Sequence, residues 1–308
     1  MLSRRFRVLI TGRGGQLGTE LMAASWPASF VVEGRSHGEL DIADPLVVEQ
    51  MLGGAGFDLV INAASYTAVD QAESEEELAF AVNARGPANL AGACARTGTA
   101  LIHTSTDYVF DGTKPEPYTE EDPVSPLCAY GRSKAAGESN VRSMLPRHVI
   151  LRTAWLYSDH GSNFLRTVLR LIRERDELRI VADQFGSPTS ARDLAGAIVS
   201  IAARINRDRE MNSGIWGTYH CTNAGETSWC GFASEIAKEA RPWIGRRPRI
   251  VPIVTADYPT PAARPANSCL CCGKLERVLN IKLRDWREAL REVLMNIRTS
   301  WAAEEARR

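Results

Sequence analysis

Tyr130 and Lys134 sit four residues apart in Tyr130-Gly131-Arg132-Ser133-Lys134. On a helix that spacing stacks both side chains on one face. A phenol alone titrates near ~10, and an ammonium one turn away favours the phenolate and lowers that value. Such a pair suits proton transfer to or from a carbonyl oxygen. Upstream, the apolar run Ala100-Leu101-Ile102-His103 reads as a buried strand ending in Thr104-Ser105-Thr106-Asp107. Thr106 offers a hydroxyl to the same oxygen. Nearer the N-terminus, Gly12-Arg13-Gly14-Gly15-Gln16-Leu17-Gly18 follows another apolar strand and opens a helix. Each motif alone is weak, since Tyr-x-x-x-Lys pairs and glycine turns are common. Together, in strand-then-helix context, they point to a nucleotide-cofactor enzyme acting on a carbonyl or alcohol.

The glycine loop divides its labour. Gly12 permits the sharp turn, Gly15 close approach of backbone to a phosphate, and Gly18 tight packing of helix on strand. The helix start offers free amide hydrogens and a positive dipole end to a pyrophosphate. The spacing is G-x-x-G-x-x-G, the short-chain reductase form. The second strand, Phe30 to Glu33, ends at Gly34-Arg35-Ser36, where an NAD site usually places an acid. Arg35 there, with Arg13 from the glycine loop, leads us to expect NADPH as the preferred cofactor, NADH remaining possible. Asp41 is placed to reach the adenine, with Ile42 beside it. The third strand, Phe57 to Ala64, ends in small residues, so Ala63 and Ala64 let a cofactor lie against the backbone. The loop Ser65-Tyr66-Thr67 and Thr104 at the fourth strand's end complete the expected cofactor contacts.

Strands and helices alternate from Phe6 to Thr153. That pattern predicts an α/β fold, a Rossmann-type doubly wound parallel sheet. Glu75 to Thr97 reads as one long helix interrupted at Pro87, which frees the Asn83 carbonyl, either to face the lysine through water or simply as a kink. After Tyr157 the pattern loosens. A smaller C-terminal α/β substrate lobe is expected, with residues 1–157 and about 182–217 in the cofactor domain, and about 158–181 and 218–308 in the lobe. Ser228 caps a helix, and Trp286, Leu290, Val293 and Ile297 mark the apolar face of the last one. Trp155, at the fifth strand's end, is either core or a platform for a sugar or cofactor ring.

The 308 residues allow a large core or two lobes. With 37 basic and 37 acidic residues, there is no basic excess of the kind nucleic-acid binders show. No apolar run approaches the ~20 residues that cross a bilayer. The basic start, Met1 to Arg7, is not expected to be a signal peptide, so a cytoplasmic location with reduced thiols is expected for the seven cysteines. Cys269, Cys271 and Cys272 have no matching second ligand pair and read as loop or buried thiols, not as a zinc site. A short charged tail, Glu304 to Arg308, closes the chain.

Taken together these motifs resemble one family, the dTDP-4-dehydrorhamnose reductases, extended short-chain dehydrogenase/reductases. The resemblance spans nearly the whole chain. It rests on Gly12 to Gly18, Asn62-Ala63-Ala64, Thr67 to Asp70, Ser105 to Phe110, Tyr130 to Lys134 with Gly137-Glu138, Arg152 to Trp155, Asp183 to Thr189 and Pro261 to Ser268. It implies NAD(P)H-dependent reduction of the 4-keto group of dTDP-4-dehydro-L-rhamnose. It further implies that Tyr130 protonates the alkoxide and Lys134 lowers its pKa and holds the nicotinamide ribose. Thr106 would bond the sugar oxygen. Gly15, Gln16 and Leu17 would hold the pyrophosphate, Ser65, Tyr66 and Thr67 line the cofactor, and Asp107 and Trp155 approach the sugar. The family often has arginine after Ser268, where this chain has Cys269. Members are monomers or homodimers, some with an interface metal on acidic residues. Mg2+ therefore stays open, and no ligands for it are identified in this sequence. Two alternatives share these motifs: a reductase or epimerase of another nucleotide sugar, and a non-catalytic relative like the regulatory subunit of methionine adenosyltransferase.

Overall fold

The structure is a computed structural model that describes residues 4–207 and 214–305. Residues 1–3 of the basic start, 208–213 of the expected second cofactor-domain piece, and Ala306-Arg307-Arg308 of the charged tail lie outside the described residues. The chain runs β1 (Phe6–Thr11), α1 (Gln16–Ala23), β2 (Phe30–Arg35), α2 (Pro45–Leu52), β3 (Leu59–Asn62), α3 (Glu76–Phe80), a π-helical turn (Ala81–Arg85), α4 (Gly86–Thr97), β4 (Ala100–Thr106), α5 (Ala129–Met144) and β5 (His148–Thr153). Next come β6 (Leu156–Tyr157), α6 (Phe164–Glu174), β7 (Glu177–Val181), β8 (Phe185–Gly186), β9 (Thr189–Ser190) and α7 (Ala191–Arg207). The last elements are β10 (Gly217–His220), β11 (Thr227–Ser228), α8 (Trp229–Ile244), β12 (Arg249–Ile253), α9 (Gly273–Leu279) and α10 (Trp286–Glu305).

Six strands form one parallel sheet in the order β10-β5-β4-β3-β1-β2. Strand residues alternate between its two faces. Val8, Ile10, Leu59, Ile61, Ile102, Val149 and Leu151 pack with α1 and α7, whereas Leu9, Val60, Leu101 and Ile150 pack with α2, α4 and α5. Both faces are covered, which is why these strands read as nearly continuous apolar runs. From β1 the chain winds one way to β2 and the other way through β3, β4 and β5. Ligands of such sheets bind at the carboxyl ends beside that switch point. The sheet's edge strand, β10, begins at Gly217 and pairs with β5 from Val149 to Arg152. The expected boundary near 217 therefore falls at the start of a sheet strand, not of the lobe.

A second core lies among α6, α8 and α10, where Leu165, Val168, Phe232, Ile236, Trp286, Leu290, Val293 and Ile297 are buried together. Asn163 and Ser228 cap α6 and α8 by accepting from the Arg166 and Gly231 amides. Asp183 to Thr189, one of the stretches that carry the resemblance, holds the short strand β8 and leads into β9. They pair with β11 and β6 and tie the lobe to the sheet's end. Among the described residues no helix is long and apolar enough to cross a membrane.

The helix expected from Glu75 to Thr97 breaks earlier than foreseen. Pro87 has no amide to donate to Asn83, and the ladder has already shifted: the Gly86 amide bonds Ala81, five residues back. The resulting π-helical turn presses the Asn83 carbonyl against Gly137 of α5, where a Cβ would come within 2.1 Å of that oxygen. Only glycine permits this approach, and it seats α5 at the end of β4.

Trp286 is 1% exposed and meets Phe232 edge-on at 5.5 Å. Truncating a buried Trp to Ala costs ~3–5 kcal/mol. Trp286→Ala should accordingly lower the melting temperature by several degrees, read by calorimetry; an unchanged transition would exclude Trp286 as the lobe's anchor.

Candidate active site

A cavity of about 730 Å³ lies at the carboxyl ends of β1, β3, β4 and β5. Its wall includes Gly15, Gln16 and Leu17 at one end and Thr106, Asp107, Tyr130, Lys134 and Trp155 at the other. Ala63, Ser65, Thr67 and Thr104 lie between them. The structure thus brings together residues drawn from five segments of the chain.

At the cofactor end, Gly12 has φ +68°, and Gly18 packs so closely that a Cβ would sit 2.1 Å from the Gly12 carbonyl. α1 starts without a side-chain cap, so its first amides remain available to an anion. Gly14 borders the cavity with nothing within 4 Å of where a Cβ would project. This cradle fits a dinucleotide pyrophosphate. Gln16 does more than the sequence suggested: its Oε1 accepts from Ser158 Oγ at 2.9 Å and from Asn163 Nδ2 at 2.8 Å. It pins the loop before α6 to the glycine loop.

Arg13, Arg35, Asp41, Ile42, Ala64 and Tyr66 do not line the cavity. Arg13 lies over Gly34 at the end of β2, and its Nη2 is 3.2 Å from Glu39 Oε1. Arg35 is 3.0 Å from Glu33, which Arg7 shares at 2.6 Å. Both arginines expected around a 2′-phosphate therefore carry carboxylate partners. Glu39, unremarked in the sequence, also accepts from the Ser36 amide and hydroxyl at 2.7 and 2.6 Å. Asp41 accepts from the Ala43 amide. Ile42 is 2% exposed, packed against Gly86, and its carbonyl accepts from Asn89; its side chain is core rather than a cofactor contact. Tyr66 donates its hydroxyl to Glu75.

At the other end Tyr130 and Lys134 are both buried. Lys134 Nζ donates to the Thr104 carbonyl at 2.6 Å. Burial lowers the ammonium to about 8, opposed by the Glu138 carboxylate. The phenol moves opposite to expectation. Burial raises Tyr130 above its ordinary value, Asp107 and Cys128 add to the rise, and only the Thr106 hydroxyl opposes it. The reason is geometric: the lysine is turned onto Thr104, and the tyrosine is buried, edge-on to Tyr108 at 5.8 Å. The result is a phenol that keeps its proton. Asp107 Oδ1 accepts from Thr106 Oγ1 at 3.0 Å. Burial pushes this carboxyl up to about 6, with the Ser268 and Thr106 hydroxyls opposing. Asp107 Oδ2 and Thr153 Oγ1 are buried without partners. Since buried polar atoms are normally paired, these two are available to a polar ligand.

Two side chains to which the sequence assigned no contact matter here: Asn83 braces the wall from behind and Trp229 lines it. Asn83 accepts from Ser65 Oγ and the Tyr66 amide, both at 2.9 Å, and donates to Tyr66 O and Ser133 Oγ. It locks the loop after β3 to α5; the signal was a polar residue just ahead of a mid-helix proline. Trp229, the first residue of α8, stacks on Trp155 with ring centroids 3.5 Å apart and planes 6° from parallel. Trp155 has φ +46°, a conformation rarely adopted by aromatic residues, so the stack holds a strained backbone in place. Among the described residues, one group able to hold a metal ion is seen: Glu20, Asp159 and His160, with ligand atoms within 4.8 Å of one another. Arg192 already lies 3.4 Å from Glu20. Cys269 is buried, Cys272 half-buried beside Thr222, and Cys271 exposed; all seven cysteines are free.

Trp155 is half-buried, with one face on Trp229 and an edge against Gly186. Trp155→Ala should raise the KM for the carbonyl substrate while lowering the melting temperature less than Trp286→Ala does. An unchanged KM with an equal thermal loss would assign the ring to the lobe core instead.

The comparisons with known proteins agree with this geometry. The family described as "RmlD substrate binding domain" matches residues 6–299. The dTDP-4-dehydrorhamnose reductase of Sinorhizobium fredii is 44% identical over 289 residues, covering 94% of this chain and 96% of that protein. The crystal structure of a dTDP-4-dehydrorhamnose reductase from Clostridium acetobutylicum superposes with a TM-score of 0.88 at 39% identity, covering 95% of this chain and 99% of its own. The Bacillus anthracis enzyme of the same name, solved in complex with NADP, gives a TM-score of 0.86 at 36% identity, covering 95% and 99%. Agreement of this extent in both sequence and fold leaves a single conclusion: the chain belongs to the dTDP-4-dehydrorhamnose reductase family.

Proposed function

We propose that this chain reduces the 4-keto group of dTDP-4-dehydro-L-rhamnose with NAD(P)H, yielding dTDP-L-rhamnose. The observation that carries the reading is the meeting of Thr106, Tyr130 and Lys134 at one end of a cavity whose other end is the glycine loop. The relatives' shared name supplies the sugar.

The dinucleotide, when bound, supplies the hydride. The residues proposed to hold it are the amides at the start of α1, Gly15, Gln16 and Leu17, with Ala63, Ser65 and Thr67 along its length. Thr106, whose hydroxyl donates to Asp107 in the free protein, turns that proton onto the keto oxygen and orients it toward Tyr130. As negative charge develops on that oxygen, Tyr130 gives up its phenolic proton. A phenol kept protonated by burial suits this direction of reaction, since the proton is present when the carbonyl arrives. Lys134, one helical turn away and seated on the Thr104 carbonyl, would stabilise the phenolate that remains through its positive charge, and its ammonium would also hold the nicotinamide ribose. Asp107 and Trp155 flank the sugar, Asp107 through its unpartnered Oδ2 and Trp155 through the ring edge left open by Trp229.

Turnover of NADPH with dTDP-4-dehydro-L-rhamnose, against a panel of other dTDP-keto-sugars, tests the reading. Tyr130→Phe should lower kcat by ~10²–10⁴-fold with little change in dinucleotide Kd, and Lys134→Ala should reduce turnover and weaken dinucleotide binding as well. Near-normal turnover in Tyr130→Phe would remove the phenol from the mechanism.

NADPH is proposed as the preferred form, with Arg35 as its main determinant. Arg13 and Arg35 both reach the end of β2, and a 2′-phosphate dianion competes there with Glu33 and Glu39 for their guanidinium groups. Charge-assisted bonds to a dianion are worth ~1.5–3 kcal/mol each, enough for roughly a tenfold preference. Arg35→Asp should collapse the ratio of kcat/KM for NADPH over NADH, and the wild-type ratio should fall with added salt. A wild type that favours NADH would instead assign Glu39 to the ribose hydroxyls.

A further inference from the structure

Behind the cavity, one turn beyond Lys134 on the same face of α5, lies Glu138. It is 0% exposed. Arg152 of β5 grips it with two bonds, Nε to Oε1 at 2.9 Å and Nη2 to Oε2 at 2.7 Å. Arg142, half in solvent, adds a third to Oε2 at 2.9 Å. Arg152 is in turn fixed: its guanidinium lies 5.1 Å over the Phe110 ring, and His220 Nε2 is 3.4 Å from its Nη1. Arg152 thus bonds Glu138 directly, while the second buried cation, Lys134, is seated on Thr104 one helical turn away.

Such a cluster is costly unless its charges compensate one another. The question is what else faces the lysine. From α5 come the neutral Tyr130 phenol and Glu138. From β4 comes His103, which burial and the lysine keep neutral, with its Nδ1 facing the Asn62 amide at 3.0 Å. From β5 comes Arg152, and beyond it on β10 His220, also held neutral by burial and by Arg152. Asp107 borders the cavity on the Tyr130 side. Arg152 works against a second positive charge nearby, and the two histidines add none. The Glu138 carboxylate is the group whose field favours the ammonium. It stays ionised itself: burial raises it, but the Arg152, Ser105 and Arg142 contacts outweigh this and leave it at about 2.

We infer that Glu138, oriented by Arg152, is a positioning residue that keeps the Lys134 side chain in its ammonium form and seated on the Thr104 carbonyl. Glu138 touches neither substrate nor cofactor; it acts through the lysine. This inference rests on the role proposed above for Lys134.

The expected signature is a pH profile. The ammonium is lost as pH rises through about 8, so wild-type kcat should fall above that pH. Glu138→Gln removes the opposing charge, and the same alkaline limb should move down by about one unit or more, while Glu138→Asp, which keeps a carboxylate, should restore much of it. The lysine is read directly by titrating 13C-labelled side chains by NMR in the full-length protein, with Lys134→Ala identifying its signal. Because Glu138→Gln leaves Arg152 buried without its partner, Glu138→Gln/Arg152→Met serves if the single variant does not fold; its Lys134 signal should titrate below that of Arg152→Met, from which it differs only in the carboxylate. A lower kcat with an unmoved limb and an unmoved Lys134 titration would reduce Glu138 to a structural brace and overturn the inference. Full turnover in Lys134→Ala would overturn the reading of the lysine itself, whatever Glu138 does.

Discussion

A lysine ammonium taken out of water governs the design of this molecule. Lys134 is 2% exposed, and an isolated charge at that depth would neutralise rather than remain. The fold answers with a backbone carbonyl from β4, a carboxylate from its own helix, and an arginine from β5 that fixes the carboxylate. Each answer demands a placement. The carbonyl comes from Thr104 near the carboxyl end of β4, so α5 must press onto that strand's end. Gly137 lets it do so against Asn83, and Asn83 in turn holds the loop after β3. The architecture around the cavity is a set of consequences of one buried charge.

The second constraint is the joining of two cores. The sheet and the α6–α8–α10 cluster meet along the cavity, and the joints are polar. Gln16 reaches Ser158 and Asn163 across one side. Arg264 of the proline-rich loop grips both oxygens of Asp70, at 3.0 and 2.8 Å, across the other. Asp193 of α7 accepts from Asn223 and Arg284 behind them. Polar joints of this kind are directional. They hold the two parts in one alignment without burying a broad apolar surface, so the cavity stays open between them.

Much of this was legible in the chain. Continuous apolar runs located the strands, because a sheet covered on both faces buries successive residues along them. The glycine loop and the Tyr-Lys pair were legible because their geometry is local: turn, helix start and one helical turn. What escaped was set by distant partners. Nothing near Arg35 announces that Glu33 is shared with Arg7, or that Glu39 closes on Ser36 and Arg13. Trp155 could not reveal whether it was core or platform, since its stacking partner, Trp229, lies in another lobe. The direction of the Tyr130 shift was misjudged for the same reason. The lysine one turn away is visible in sequence, but neither its seating on the Thr104 carbonyl nor the burial of the phenol is.

The joints between the cores also fix when the cavity can exist. Gln16 and Ser158 are 142 residues apart, and Asp70 and Arg264 are 194 apart. A chain emerging from its N-terminus completes the glycine loop, all of β1 to β5, and α5 well before it makes Arg264. At that stage the chain already has Tyr130 and Lys134 but lacks Trp229 and Arg264. Contacts of such separation are slow to close, since the intervening chain must be ordered first. A complete cavity therefore needs the last third of the chain, which supplies Trp229 and Arg264, even though the sheet and both catalytic side chains precede it.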